Sequence, residues 1–288
     1  MRAFANSFMD LSDSKTETLG QACWGMIITM GGHRFAARVA LGMIGCLASA
    51  SAAARVRIGG SLALTQDDVF RGISWTCGGP AAQADLHLRL SGLPSGSTLF
   101  GGVWGSAGLR NSPCGATREL DPYAGYSMSL NSAWFVSLRY IHYGFPGGTR
   151  LNPDLAGARY DYDEVNGTLA YQGRLFLVLA WTPDAIRYAN NPYAYDAEAI
   201  ERNRSAYSFG AQWLQPLGSW LNLSASAGYD TILDPSGTGY GFWSVGLLHS
   251  SGPWQLTVAY FRTDRRATQL FGRAAAGGRI AASLLWRF

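Results

Sequence analysis

The chain has 288 residues, of which 48% are hydrophobic and only 15% charged, against roughly 25% charged in ordinary soluble domains. A net charge of +4 is too small to argue for a nucleic-acid partner. Beyond residue 54 no apolar run reaches the ~18 residues that a membrane-spanning helix needs, which leaves a closed barrel as the way to satisfy backbone hydrogen bonds in hydrocarbon.

Residues 34–54 carry a secretory signal pattern: Arg34 and Arg38 form a basic start, residues 39–47 a short apolar stretch, and Ala52-Ala53-Ala54 a small-residue cleavage site. Cleavage is expected near Ala54, which divides the chain into an extension plus signal peptide (1–54) and a mature barrel (55–288). Residues 1–29 contain Asp10, Asp13 and Glu17 and do not fit a signal peptide, so translation is expected to start at Met26 or Met30 rather than Met1. Met43-Ile44-Gly45-Cys46 faintly follows a lipoprotein cleavage box, with Met where Leu is usual, and lipidation at Cys46 is the weaker reading.

From residue 58 onward twelve segments alternate apolar and polar residues: 58–66, 81–90, 97–108, 119–130, 134–144, 162–172, 174–183, 204–214, 219–230, 240–250, 253–264 and 278–288. A period of two gives a strand two different faces. The connections alternate in length. Residues 91–96, 131–133, 173, 215–218 and 251–252 are short and rich in Gly, Ser, Asn and Pro, while 67–80, 109–118, 145–161, 184–203, 231–239 and 265–277 are long. Short periplasmic turns, longer extracellular loops and an even strand count are the pattern of an outer-membrane barrel. The fold expected is therefore all-β: a 12-stranded antiparallel transmembrane barrel in the bacterial outer membrane.

The faces follow from the alternation. Trp134, Val136, Leu138 and Tyr140 are expected toward lipid, with Ser137, Arg139 and Tyr143 toward the lumen. Leu86, Leu88 and Leu90 alternate with Asp85, His87 and Arg89, and Trp254, Leu256, Val258 and Tyr260 with Gln255, Thr257 and Ala259. Trp134, Trp220, Trp254 and Trp286 fall at the periplasmic strand ends, where an aromatic girdle belongs. The last segment places Ile280, Ala282, Leu284, Trp286 and Phe288 on one face, the pattern of a closing strand.

Several words in the first half carry a resemblance: Phe70-Arg71-Gly72-Ile73-Ser74, Gly102-Val103-Trp104-Gly105-Ser106, Glu119-Leu120-Asp121, Tyr123-Ala124-Gly125-Tyr126, Tyr143-Gly144-Phe145-Pro146-Gly147 and Tyr162-Asp163-Glu164-Val165. In order and spacing they resemble the TorF porin family, a conserved proteobacterial outer-membrane family of unknown function. The resemblance implies an outer-membrane barrel engaged in transport, with no established substrate and no catalytic residues. Pro122 departs from the family word. Because proline removes a ladder hydrogen bond, it is expected at a strand end or bulge.

For a pore, the inward charged residues are the candidates: Asp85, His87, Arg89, Glu119, Asp121, Arg139 and Glu164. They either line a narrow channel or pair across the lumen and plug it, since twelve strands lie between filled eight-stranded barrels and open large ones. Tyr123, Tyr126, Tyr140 and Tyr143 form a sugar track only if they share the lumen, and the alternation puts Tyr126 and Tyr140 on the lipid face instead. His249-Ser250-Ser251 has the His-x-Ser spacing of outer-membrane lipid hydrolases but falls at a periplasmic turn, so catalysis is not expected. No cofactor or metal pattern is present. Cys77 and Cys114 lie in neighbouring long loops and are expected to form a disulfide during export. Arg262, Arg265, Arg266 and Arg273 surround the last long loop and could contact lipopolysaccharide phosphates.

The function expected is passive or weakly selective passage of small hydrophilic solutes. The alternative is a closed structural or adhesive barrel that uses its long loops, with a lipid-modifying enzyme a distant third. Partners expected are outer-membrane lipid and lipopolysaccharide, the barrel-assembly machinery through the strand ending at Phe288, and small solutes, with the protein monomeric.

Overall fold

The computed structural model describes residues 54–110, 118–146, 161–188, 200–232 and 238–288. The predicted signal segment, the start-site question and Cys46 lie outside the described residues, as do Cys114 and much of the loops at 145–161, 184–203 and 231–239. No helix among the described residues is long and apolar enough to cross a membrane.

Twelve strands form a closed antiparallel barrel: β1 (Arg55–Thr65), β4 (Ala81–Leu93), β5 (Ser97–Gly108), β6 (Arg118–Ser129), β7 (Trp134–Tyr143), β8 (Tyr162–Tyr171), β9 (Leu175–Tyr188), β10 (Ile200–Pro216), β11 (Leu221–Asp230), β12 (Tyr240–Ser251), β13 (Trp254–Thr263) and β14 (Arg279–Arg287). Two further short strands, β2 (Val69–Phe70) and β3 (Ile73–Ser74), pair only with each other. Each barrel strand matches one predicted segment. The ladder of β9 and β10 continues past the predicted ends, out to Ile200↔Tyr188, with register shifts between Glu201 and Ala206. Paired strands can extend into water beyond the bilayer, where the lipid-facing alternation that signals them is no longer required.

Closure is made by β1 and β14, with Ser61↔Arg287 through Thr65↔Ser283 in register. At the seam Gly60 and Phe288 exchange backbone hydrogen bonds of 3.0 and 3.1 Å. The Phe288 ring lies where a Cβ on residue 60 would be: such an atom would stand 2.6 Å from both the ring and the Asp85 carbonyl oxygen. Gly60→Val is therefore expected to part the seam and cost about 1–3 kcal/mol by overpacking, read as a lower urea midpoint of the detergent-folded protein. An unchanged midpoint would show that the seam tolerates a side chain there.

The side-chain alternation sorts as expected. Val56, Ile58, Leu62, Leu86, Leu88, Leu138, Leu179, Leu247, Val258 and Leu284 are exposed on the outer surface, while Ser61, Ser106, Ser127, Ser137, Thr168, Ser208 and Thr257 are buried inside. Trp134 packs on Tyr171 with ring centroids 4.7 Å apart, Trp254 on Trp286 at 6.3 Å and Trp220 edge-on to His249 at 5.2 Å. An apolar wall with an aromatic rim surrounding a polar interior is built for a bilayer, and the protein is a bacterial outer-membrane barrel.

Three expectations are corrected. Pro122 lies inside β6, paired with Val103, rather than at its start. The N–H of Leu120, two residues earlier, donates to Gly144 on the β7 side, so the nitrogen of Pro122 faces β7 as well. The β6–β7 ladder accordingly begins at Tyr123↔Ile141, with one bridge, Leu120↔Gly144, beyond the gap. The segment 67–80 is an inward hairpin instead of an extracellular loop, and 265–277 is mostly a helix, Arg265–Ala276. The helix is capped by Asp264, whose side chain accepts from the Ala267 N–H at 3.0 Å.

Candidate functional site

The hairpin starts where β1 ends, in the sequence Asp67-Asp68-Val69-Phe70-Arg71-Gly72-Ile73-Ser74. Val69 pairs with Ser74 and Phe70 with Ile73, leaving Arg71-Gly72 as a two-residue turn. Both turn residues have positive φ, 49° and 79°, the geometry that matches the twist of a tight hairpin. Gly72 adopts it freely, and a Cβ there would stand 2.6 Å from Thr263 on β13 and 2.8 Å from Phe242 on β12. Arg71 adopts it at a cost of about 1–3 kcal/mol that its surroundings must offset. The two aspartates turn the chain inward. Asp67 accepts from the hydroxyls of Ser74 and Thr76 and from Arg279 Nη1 at 2.8 Å. Asp68 accepts from the Ser106 hydroxyl at 2.6 Å.

Apolar contacts seat the hairpin on several sides. Val69 packs with Ala259, Phe261 and Ala281. Phe70 joins Ile141, Tyr143, Phe145 and Tyr162, and Tyr143 stacks on Tyr162 at 4.6 Å. Ile73 packs with Tyr240, Phe242 and the helix residues Ala267, Ala275 and Ala276. Trp75 stacks on Phe145 at 5.4 Å. The helix thus lies against the hairpin, and Arg279 ties both to β14 through Asp67, Gly277 O and Ala274 O.

At the tip Arg71 reaches two walls. Its Nη2 lies 2.6 Å from Glu164 Oε2 on β8, and its Nη1 3.1 Å from Asp230 Oδ2 at the end of β11. The three side chains are 6%, 1% and 0% exposed, so water screens them little. Glu164 also accepts from Asn166 Nδ2 at 3.2 Å and the Tyr143 hydroxyl at 3.4 Å. Burial alone would push the guanidinium pKa down, but Glu164 and Asp230 outweigh it and hold the pKa well above its ordinary value. Arg71 is therefore a fixed cation, and the ion pairs lock the hairpin across the lumen.

The seven charged residues singled out from the sequence all sit on inward-facing positions. Asp85, Glu119, Asp121, Arg139 and Glu164 are buried, with His87 and Arg89 half-buried. Asp85 holds His87 Nδ1 at 2.6 Å and accepts from the Tyr123 hydroxyl at 2.7 Å, and the Arg139 guanidinium lies 5.8 Å from the centre of the Tyr123 ring. Asp121 accepts from the Gly144 N–H at 3.3 Å. Only Glu164 of the seven meets Arg71. Sequence reading missed Arg71, Asp230, Asp67 and Asp68. The available signal was an Arg-Gly pair between two apolar dipeptides, directly after paired aspartates. Between the hairpin and the wall of β1, β4, β5 and β10–β14 lies a cavity of about 120 Å³, lined among others by Ser61, Gln83, Gln212, Ser226, Ser244 and Gln255.

The remaining candidates separate. Tyr123 and Tyr143 point inward. Tyr126 faces outward, as does Tyr140, whose hydroxyl donates to Asp163 at 2.7 Å, so the four do not form one track. His249 faces outward against Trp220. Arg262 is exposed on β13 beside Trp243, and Arg265, Arg266 and Arg273 ride on the helix. Cys77 follows β3 with φ 51°, while Cys114 lies outside the described residues. Among the described residues no cluster of three or more His, Cys, Asp or Glu is placed to hold a metal ion.

A family model described as "Bacterial protein of unknown function (Gcw_chp)" matches residues 49–284. No curated protein matches the chain. Among solved structures, the NanC porin is similar at 10% identity and a TM-score of 0.45, over 80% of this chain and 98% of that one. The COG4313 outer membrane channel from Pseudomonas putida F1 is similar at 12% identity and a TM-score of 0.46, over 83% and 98%. The KdgM porin, solved in complex with disordered oligogalacturonate, is similar at 10% identity and a TM-score of 0.43, over 81% and 99%.

Proposed function

The chain belongs to the Gcw_chp family, and we propose that it is a porin-like outer-membrane channel for small hydrophilic solutes, whose passage is set by the hairpin Val69–Ser74. The observation that carries this reading is the way the lumen is filled. A separate hairpin, locked by Arg71 to Glu164 and Asp230, occupies it beside a polar cavity, in place of wall side chains packed solidly against one another. A hairpin that pairs only with itself and belongs to no barrel ladder can shift without unfolding the barrel. The resemblance of the first-half words to the TorF porin family supports the same reading. Asp85, His87, Arg89, Glu119, Asp121, Arg139 and Glu164 are then candidates for the wall of the path.

Arg262, Arg265, Arg266 and Arg273 are proposed to meet lipopolysaccharide phosphates, and β14 with Phe288 to engage the assembly machinery of a monomer. A Cys77–Cys114 disulfide is proposed to tie the base of the hairpin to the next loop. The burial of the hairpin favours a second reading, a closed structural or adhesive barrel.

Planar-bilayer recording separates the two. The wild type is expected to give small discrete steps, and a variant with residues 69–74 replaced by a Gly-Ser linker several-fold larger ones. Silence from both folded proteins would overturn the channel and leave the structural barrel.

A further inference from the structure

The inward charges are segregated along the barrel axis. The turns 94–96, 130–133, 172–174, 217–220 and 252–253, together with the four residues of each barrel strand nearest them, contain Arg55, Arg57, Arg174 and Arg287 and no Asp or Glu. Arg89 lies just above, on β4. On β1 the positions Ser61, Ala63 and Thr65 line the lumenal cavity, so by alternation Arg55 and Arg57 face the same lumen. On β14 Ser283 and Leu285 line it, and Arg287 follows on that face, its Nη2 donating to Gln255 Oε1 at 2.5 Å.

Register concentrates these cations on one wall. Arg57 is the direct cross-strand partner of Arg89, Arg55 of Ser91, and Ser61 of both Arg287 and Asp85. His87 completes the row, with its ring over Gly59, where a Cβ would lie 2.8 Å from Nε2. Asp85, at the upper edge, holds His87 and Tyr123. Farther up, Asp67 is paired with Arg279, and Glu164 and Asp230 share Arg71 at the hairpin tip. The periplasmic end of this wall thus carries neighbouring arginines and no Asp or Glu, and the planar fork of a guanidinium matches carboxylate and phosphate oxygens.

We propose that the periplasmic vestibule formed by β14, β1 and β4 is an anion-binding site, with Arg57 and Arg89 at its centre, and that the permeants are small carboxylate- or phosphate-bearing solutes. The hydroxyl and amide lining of the cavity above suits the polar remainder of such a solute. The site itself stands on the arginines alone, while its role in permeation rests on the channel reading.

Two measurements on the folded full barrel test it. In titration calorimetry citrate is expected to bind the wild type and inorganic phosphate more weakly. The double variant Arg57→Gln, Arg89→Gln is expected to weaken citrate at least about tenfold, since it removes two charge-assisted contacts. In a KCl gradient across a planar bilayer, the wild type is expected to reverse toward the chloride potential and Arg57→Glu, Arg89→Glu toward the potassium potential. Absence of citrate and phosphate binding, or equal binding by both proteins, overturns the site. Binding that depends on both arginines, with a reversal potential that does not move, overturns the permeant class. Binding without conductance refutes the channel and leaves the vestibule standing. Heat-modifiable migration on a gel confirms that each variant is folded before either measurement.

Discussion

Arg71→Ala is expected to raise single-channel conductance several-fold and to lower stability by about 3–5 kcal/mol, the usual cost of removing one partner from a buried ion pair. The reason is local. The substitution takes away the cation that Glu164 and Asp230 both face, at a site where neither carboxylate reaches water. It also removes the ring contact with Phe70, over which the guanidinium lies at 4.6 Å. The hairpin would then be held by apolar packing and by Asp67 and Asp68 at its base. Urea titration and protease cutting between residues 66 and 80 report its release. The triple variant Arg71→Met, Glu164→Gln, Asp230→Asn is expected to recover most of the stability, because replacing a whole buried charge set is often neutral. Arg71→Lys should recover only part, since an ammonium lacks the fork that spans two walls. Unchanged conductance and protease resistance in Arg71→Ala would show that the ion pairs do not hold the hairpin.

Leu138→Arg carries the second large effect. Leu138 sits midway along β7, 56% exposed on the outer face, next to Arg139, which is buried inside. A charge placed at mid-bilayer on the lipid face of a barrel costs about 2–4 kcal/mol. Unfolding in phospholipid vesicles is expected to show that loss, and Leu109→Arg, just beyond the extracellular end of β5, much less. Equal tolerance at both positions would mean that residue 138 does not meet hydrocarbon. The contrast between residues 138 and 139 shows how little separates the two environments: one step along a strand reverses the side chain.

That single-step reversal explains why so much was legible. Every barrel strand answers to a solvent on each face, so apolar and polar residues must alternate, and 97–108 could be bounded on that basis alone. Pro122 broke the expectation because a strand in a barrel has two neighbours, and proline can remain within β6 by keeping its ladder to β5 while the β7 side gives way. The site was half legible. Glu164 could be assigned to the interior from its strand, but its partner could not, because Arg71 belongs to no barrel strand.

The amino-acid sequence by itself determined the barrel: strand number, order of short and long connections, outward and inward faces, and the periplasmic aromatic rim. These follow from local periodicity and turn composition, which act over a few residues. Only the tertiary structure decided that residues 67–80 turn into the lumen, that 265–276 coil into a helix against them, and that Arg71 meets Glu164 and Asp230, 93 and 159 positions away along the chain. A loop has no repeating environment to leave a pattern in its residues. Where it goes is settled by a few long-range contacts, which become visible only after the wall they touch has closed.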